Sequence, residues 1–228
     1  MARLARIVAP GCPHHVTARG NRREPIFFEN GDQEVYRDLL AEQMVKASVA
    51  VWAYCLMPNH VHLIVCPATE DGLGKAIGAA HRRWASFVNA RGRWQGHLFD
   101  SRFASVAMDD AHLISAVRYV ALNPVRARLV AHAEDWSWSS VRAHLAGVDD
   151  ALVTVKPVLD RMAPFEDVIL GMGEDAEFAA LRAAELTGRA LGTPEFVRDL
   201  ERRLGRPIAR RAPGRKPRTT AETKPAMF

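Results

Sequence analysis

Two apolar runs held apart by a proline and an asparagine, "WAYCLM" (Trp52–Met57) and "HVHLIVC" (His60–Cys66), leave this chain few ways to fold locally. The first alternates as a strand and ends at a tight-turn dipeptide, and the second follows as its partner, so the pair reads as a β-hairpin. Side chains alternate across a strand. His60 and His62 therefore project together, while Val61, Leu63 and Val65 project to the other side. Two imidazoles on one face are either a satisfied structural pair or two ligands for a metal.

The hairpin sits inside a longer pattern. A strand is expected near His14–Thr17, followed by "GNRREP" as a turn. A helix is expected from Asp32 through about Val49, with Val35, Leu39, Leu40 and Val45 at helical spacing and Asp32 as N-cap. A second helix starts near Asp71 and places Leu73, Ile77, Ala80, Trp84 and Phe87 on one face. "FASVAM" (Phe103–Met108) is a fourth strand, and Asp109 or Asp110 caps a third helix running to about Leu122. Strand, helix, strand, strand, helix, strand is the split arrangement of ferredoxin-like (RRM-like) α+β domains. Helices on one face of its antiparallel sheet leave the other face free to hold a ligand.

After "DWSWSSVRAHLAG" the character changes. Asp175–Thr187 and Thr193–Leu204 look like helices, the latter opened by Thr193 and Pro194. The expected division is a catalytic-type domain over 1–147, a helical extension over 148–205 and a basic tail over 206–228. From Arg202 to Ala221 there are eight Lys/Arg and no Asp/Glu, so the remainder of the chain is net −3 against +5 for the whole. The basic excess is a tail feature, suited to binding a polyanion.

Three cysteines (Cys12, Cys55, Cys66) without a C-x-x-C fit a reducing, cytoplasmic setting and argue against a disulfide framework or zinc knuckle. No apolar run approaches the ~18 residues of a membrane span, and the N-terminus lacks the apolar core of a secretory signal.

In "RYVALNPVRARL" (Arg118–Leu129), Tyr119 and Asn123 are four apart and share a helix face. Because proline disfavours helical backbone in the preceding residue, Asn123 before Pro124 is expected at a helix end, its amide exposed. Taken alone, Tyr119 packs on the sheet and Asn123 caps the helix. Taken with the two histidines, an amide oxygen and two neutral imidazoles make a three-ligand site with open positions, suited to a divalent metal that polarises a phosphoryl oxygen. A tyrosine one turn away would sit beside that phosphate. Water as nucleophile gives hydrolysis; tyrosine conserves the bond energy in a covalent adduct for rejoining.

"MPNHVHLIV" looks like the HUH motif, His–hydrophobic–His, and "RYVALNPVRA" resembles the tyrosine helix of single-tyrosine HUH transposases. With "HVTARGNRR" (His15–Arg23), "GHLFDSRF" (Gly96–Phe103) and "WSWSSVRAHL", residues 1–147 resemble the REP-associated tyrosine transposases, relatives of small insertion-sequence transposases. The resemblance implies that His60, His62 and Asn123 bind a divalent metal, Mg²⁺ or Mn²⁺. It implies that Tyr119 attacks single-stranded DNA beside a hairpin of the repetitive extragenic palindrome type, leaving a 5′-phosphotyrosine and a free 3′-OH. Arg22, Arg23, Arg82, Arg83 and Arg126 are candidates for DNA-backbone contact on charge and location, and Arg215 and Lys216 in "PGRKPR" for a phosphate-binding arm. The family pattern is broken at His14, Ala121 and Arg128, which bear on DNA preference and not on the four chemical residues.

The expectation is a metal-dependent DNA-nicking and strand-transfer enzyme acting as a monomer or homodimer. Two alternatives keep the fold: a catalytically weak hairpin-binding regulator, and a metal phosphoesterase that uses water.

Overall fold

A computed structural model describes residues 6–162, 164–170 and 175–209. Strands β1 (His14–Arg19), β2 (Val49–Met57), β3 (His60–Pro67) and β4 (Ala104–Ala107) form one antiparallel sheet in the order β2-β3-β1-β4. Helices α1 (Asp32–Lys46) and α2 (Gly72–Gly92) occupy the two crossovers, and α3 (Asp110–Arg126) follows β4. This is the expected ferredoxin-like α+β architecture.

The hairpin turns on Pro58 and Asn59, pairing Met57 with His60. β2 begins at Val49, where α1 was expected to end, because Ala47 and Ser48 make the turn and Ser48 takes a positive φ of 52°. Asp32 lies in the first turn of α1, preceded by Gly31 at φ 90°; its carboxylate accepts from Phe28 N and Glu29 N at 2.7 and 3.0 Å. It also accepts two bonds from Arg91 of α2, at 2.7 and 2.8 Å, which ties the two crossover helices together.

Alternation sorts the sheet into two faces. Val16, Ala18, Leu56, Val61, Leu63 and Val65 meet α1 and α2 around the fully buried Trp84. Ala53, Cys55, Met57 and Ile64 meet Leu113, Val117 and Val120 of α3. The second face is not free, contrary to the expectation from strand and helix order. After the short α4 (Val141–Ala146) and α5 (Lys156–Leu159), α6 (Phe165–Leu170) and α7 (Asp175–Thr187) add Phe165, Phe178 and Leu181 to the core over α3.

Helix α8 (Pro194–Leu204) starts as read, with Thr193 Oγ accepting from Phe196 N at 3.2 Å. Its Leu200 packs with Ile208 on Ile7, Ala9, Cys12 and Ala107. Leu191 bridges Met108 at the end of β4, and Asp109 accepts from both His112 N and Thr193 N, at 3.1 and 2.9 Å. Among the described residues no helix is long and apolar enough to cross a membrane. Arg215 and Lys216 lie outside the described residues.

Candidate active site

β3 presents His60 and His62 on the face toward α3, with ring centroids 4.9 Å apart and rings nearly perpendicular. α3 crosses that face and brings Asn123 and Tyr119 to them. The Asn123 amide nitrogen lies 3.1 Å from His62 Nε2, and the amide also hydrogen-bonds His60. The Tyr119 ring stands edge-on to His62, centroids 5.3 Å apart. Asn123 is not at a helix end as expected. α3 continues through Pro124 to Arg126, and Asn123 is only 9% exposed. Proline removes one ladder bond, but Ala127 N still reaches Asn123 O at 2.9 Å. Burial of the turn from Tyr119 to Pro124 outweighs the local preference.

Burial sets the charge state of this cluster. His60 is pushed down to about 4 by desolvation and by Arg19, its cross-strand partner. His62 is held well below the ordinary histidine value by complete burial and by His15 and His60 beside it. Both rings are neutral at pH 7 and keep a lone pair to offer. His60 Nδ1 donates to Asn59 Oδ1 at 2.6 Å, which leaves Nε2 as the acceptor nitrogen. Octahedral ligands of a hard divalent ion lie ~3 Å apart. The two neutral imidazoles fit such an ion, and the Asn123 amide, whose nitrogen faces His62 here, would present its oxygen by turning over.

Two groups reach the cluster that the histidine spacing does not announce. His15 of β1 stacks on His62, with Nε2 3.0 Å from His62 Nδ1. On its far side, His15 Nδ1 lies 3.1 Å from Glu185 Oε1 of α7, off the line of a hydrogen bond. The run carboxylate, imidazole, imidazole is the kind of outer-shell chain that orients a metal-binding histidine. Ligand atoms of His15, His62 and Glu185 also lie within 4.8 Å of one another, close enough to share a cation.

Tyr119 is 8% exposed. Phe178 of α7 packs edge-on against its ring at 5.2 Å, and the Arg126 guanidinium sits 5.3 Å from the Tyr119 ring and 4.9 Å from that of Phe178. Burial and the nearby Glu185 carboxylate raise the Tyr119 phenol above its ordinary value, while Arg126 and Arg182 oppose them. The phenol is protonated at neutral pH.

The arginines expected at a DNA backbone are distributed around this centre. Arg126 is at the tyrosine itself. Arg22 and Arg23 are exposed in a turn with positive φ, and Asn59 Nδ2 donates to Arg23 O at 2.9 Å, which joins that turn to the base of the histidine strand. Arg82 and Arg83 lie on α2, across the sheet from the histidines. Arg83 pairs with Glu42 at 2.5 Å. Arg19, not singled out from sequence, stands opposite His60 on β1. The in-register strand partner of a histidine is a cue that only pairing supplies.

The family model of IS200-like transposases matches residues 9–123. No curated protein matches the chain significantly. Among solved structures, a REP-associated tyrosine transposase bound to a REP hairpin is 20% identical with a TM-score of 0.56, over 68% of this chain and 92% of that one. A candidate transposase from Deinococcus radiodurans R1 is 18% identical with a TM-score of 0.37, over 52% of this chain and 95% of that one.

Proposed function

The chain belongs to the family of IS200-like transposases, and from that premise we propose that it is a metal-dependent, single-tyrosine enzyme that nicks and rejoins single-stranded DNA beside a hairpin. What carries the reading is the convergence of His60, His62, Asn123 and Tyr119 from two elements far apart in sequence. The hairpin as partner rests on the fold shared with the hairpin-bound transposase.

In this reading His60 and His62 hold the ion through ring nitrogens that burial keeps unprotonated, and Asn123 adds its amide oxygen. A bound Mg²⁺ or Mn²⁺ supplies Lewis-acid polarisation of a phosphate oxygen. His15, backed by Glu185, fixes the His62 ring. Tyr119 gives up its phenolic proton, and its oxygen bonds to phosphorus as the bond from phosphorus to the 3′-oxygen breaks. That 3′-oxygen takes up a proton and leaves as a 3′-OH, while the other strand end stays on the enzyme as a 5′-phosphotyrosine. Arg126 beside the phenol favours its ionised form.

The test uses an oligonucleotide labelled at both ends and carrying a hairpin repeat from the DNA flanking the gene, with Mg²⁺ or Mn²⁺. The expected result is a covalent protein–DNA adduct on the new 5′ end, lost in Tyr119→Phe and in His62→Ala. Cleavage that persists in Tyr119→Phe would make water the nucleophile. One observation favours a second reading, a hairpin-binding regulator with weak catalysis: α7 covers Tyr119. Hairpin binding without adduct, even after Phe178 is removed, would support it.

A further inference from the structure

Among the described residues, three buried side-chain nitrogen or oxygen atoms lack a hydrogen-bond partner, and two of them face each other. His15 Nδ1, on a ring 1% exposed, and Glu185 Oε1 lie 3.1 Å apart with no hydrogen bond between them. A carboxylate oxygen and an imidazole nitrogen buried at that spacing are arranged as two ligands of one cation.

His62 supplies a third. Its Nδ1 is the nitrogen turned to this side, 3.0 Å from His15 Nε2, and ligand atoms of the three residues lie within 4.8 Å of one another. Ligands of a tetrahedral Zn²⁺ sit ~3.3 Å apart, so His15 and Glu185 are already in place and the widest pair has at most about 1.5 Å to close. Two imidazoles and a carboxylate, with a fourth position left to water, favour Zn²⁺ over Mg²⁺. The other face of His62 meets an imidazole and an amide; this one brings a carboxylate, which neutralises part of the ion's charge. A hollow of about 310 Å³ between β4 and α7, lined by Ser105, Glu185 and Thr187, gives the ion a way in.

The two faces of His62 exclude each other. A neutral imidazole has one lone pair, so an ion on Nδ1 leaves the ring proton on Nε2. Nε2 is the nitrogen that faces Asn123 and the proposed catalytic ion. Glu185 adds a second effect, because its helix α7 also carries Phe178, edge-on to Tyr119 at 5.2 Å. An ion shared by β1, β3 and α7 fastens that helix to the sheet.

We propose that His15, His62 and Glu185 form an inhibitory site for a divalent transition-metal ion of the zinc class, which takes His62 from the catalytic ion and holds α7 over Tyr119. The site joins two strands of the family-matched segment to a helix beyond it. The inference deepens the proposed reaction and rests on it for what is inhibited.

The full-length protein is titrated with Zn²⁺ in the presence of Mg²⁺, by calorimetry and by melting temperature. One ion per chain is expected, with a raised melting temperature. His60→Ala removes a ligand of the catalytic ion and should leave this affinity unchanged. Glu185→Gln should weaken it tenfold or more, since even outer-shell partners count for that much. Zinc-free melts of both variants report an intact fold. Adduct formation in Mg²⁺ should fall as Zn²⁺ is added and return with more Mg²⁺. Glu185→Gln, read against its own zinc-free rate, should need at least tenfold more Zn²⁺ for the same inhibition. Zinc binding that is lost in His60→Ala and kept in Glu185→Gln, or absent from wild type, overturns the inhibitory site, while adduct formation in Mg²⁺ leaves the nickase reading standing. Wild type that forms no adduct with Mg²⁺ or Mn²⁺ overturns the nickase reading, and with it the inhibitory role.

Discussion

Phe178 stands edge-on to Tyr119 at 5.2 Å, on a helix that lies outside the segment matched by the transposase family. The arrangement described is therefore one in which the proposed nucleophile is covered by the chain's own extension.

Removing the ring should expose the tyrosine. Phe178→Ala is expected to raise the single-turnover rate of adduct formation several-fold, while costing about 3 kcal/mol of stability for a lost buried aromatic. Rapid-quench measurement of the adduct, with a urea melt alongside, checks both. A slower rate in a folded variant would mean that Phe178 supports the tyrosine and does not obstruct it.

The carboxylate next to the cluster makes a separate prediction. Burial first, then Glu185, pushes the Tyr119 phenol up. The rate should climb with pH from 7 to beyond 9 with a log slope of about one, since the phenol must lose its proton. Glu185→Gln removes one upward push. Its profile should shift to lower pH, giving a higher rate at pH 7; an unshifted profile would separate Glu185 from the tyrosine.

Asp32 and Arg91 bind α1 to α2 and tie stability to pH. The fold holds the Asp32 carboxyl below its ordinary value through Arg91 and two backbone donors, which outweigh its burial. The pair contributes fully above that ordinary value and is lost as pH falls through the lower, folded one. Asp32→Asn should cost about 2 kcal/mol at pH 7, a gap that closes as pH falls through the lowered, folded value. Denaturant melts at pH 7 and pH 3 read it directly.

The tail is best cut after Ala209. An earlier cut at 206 would remove Ile208, 3% exposed against Ile7 and Leu200, and Arg206, which donates to Arg6 O at 2.6 Å. Deleting 210–228 is expected to weaken binding to a hairpin and flatten its salt dependence, by at most ~0.7 in slope per lost contact. Cleavage of a short oligonucleotide at high enzyme should survive. Its complete loss would place part of the tail in the reaction.

The β2–β3 hairpin and the pairing of its histidines were legible because a period of two and a Pro-Asn turn are local signals. Asn123 was legible as a partner, but its setting was not, since the packing of α3 on the sheet overrides what Pro124 favours locally. His15 was hidden for another reason. Its same-face neighbour on β1 is Thr17, and only strand pairing sets it beside His62. Glu185 and Phe178 belong to a helix whose own pattern shows nothing but amphipathicity. Their part arises from where that helix docks, and no motif in the sequence encodes it.

The tether at Asp109 and Leu191 gives that docking a kinetic character. Because α7 leads directly into a segment fixed to the end of β4, any uncovering of Tyr119 in the proposed reaction would be an intramolecular event set by an effective local concentration. Within one chain, dilution would leave that restraint unchanged.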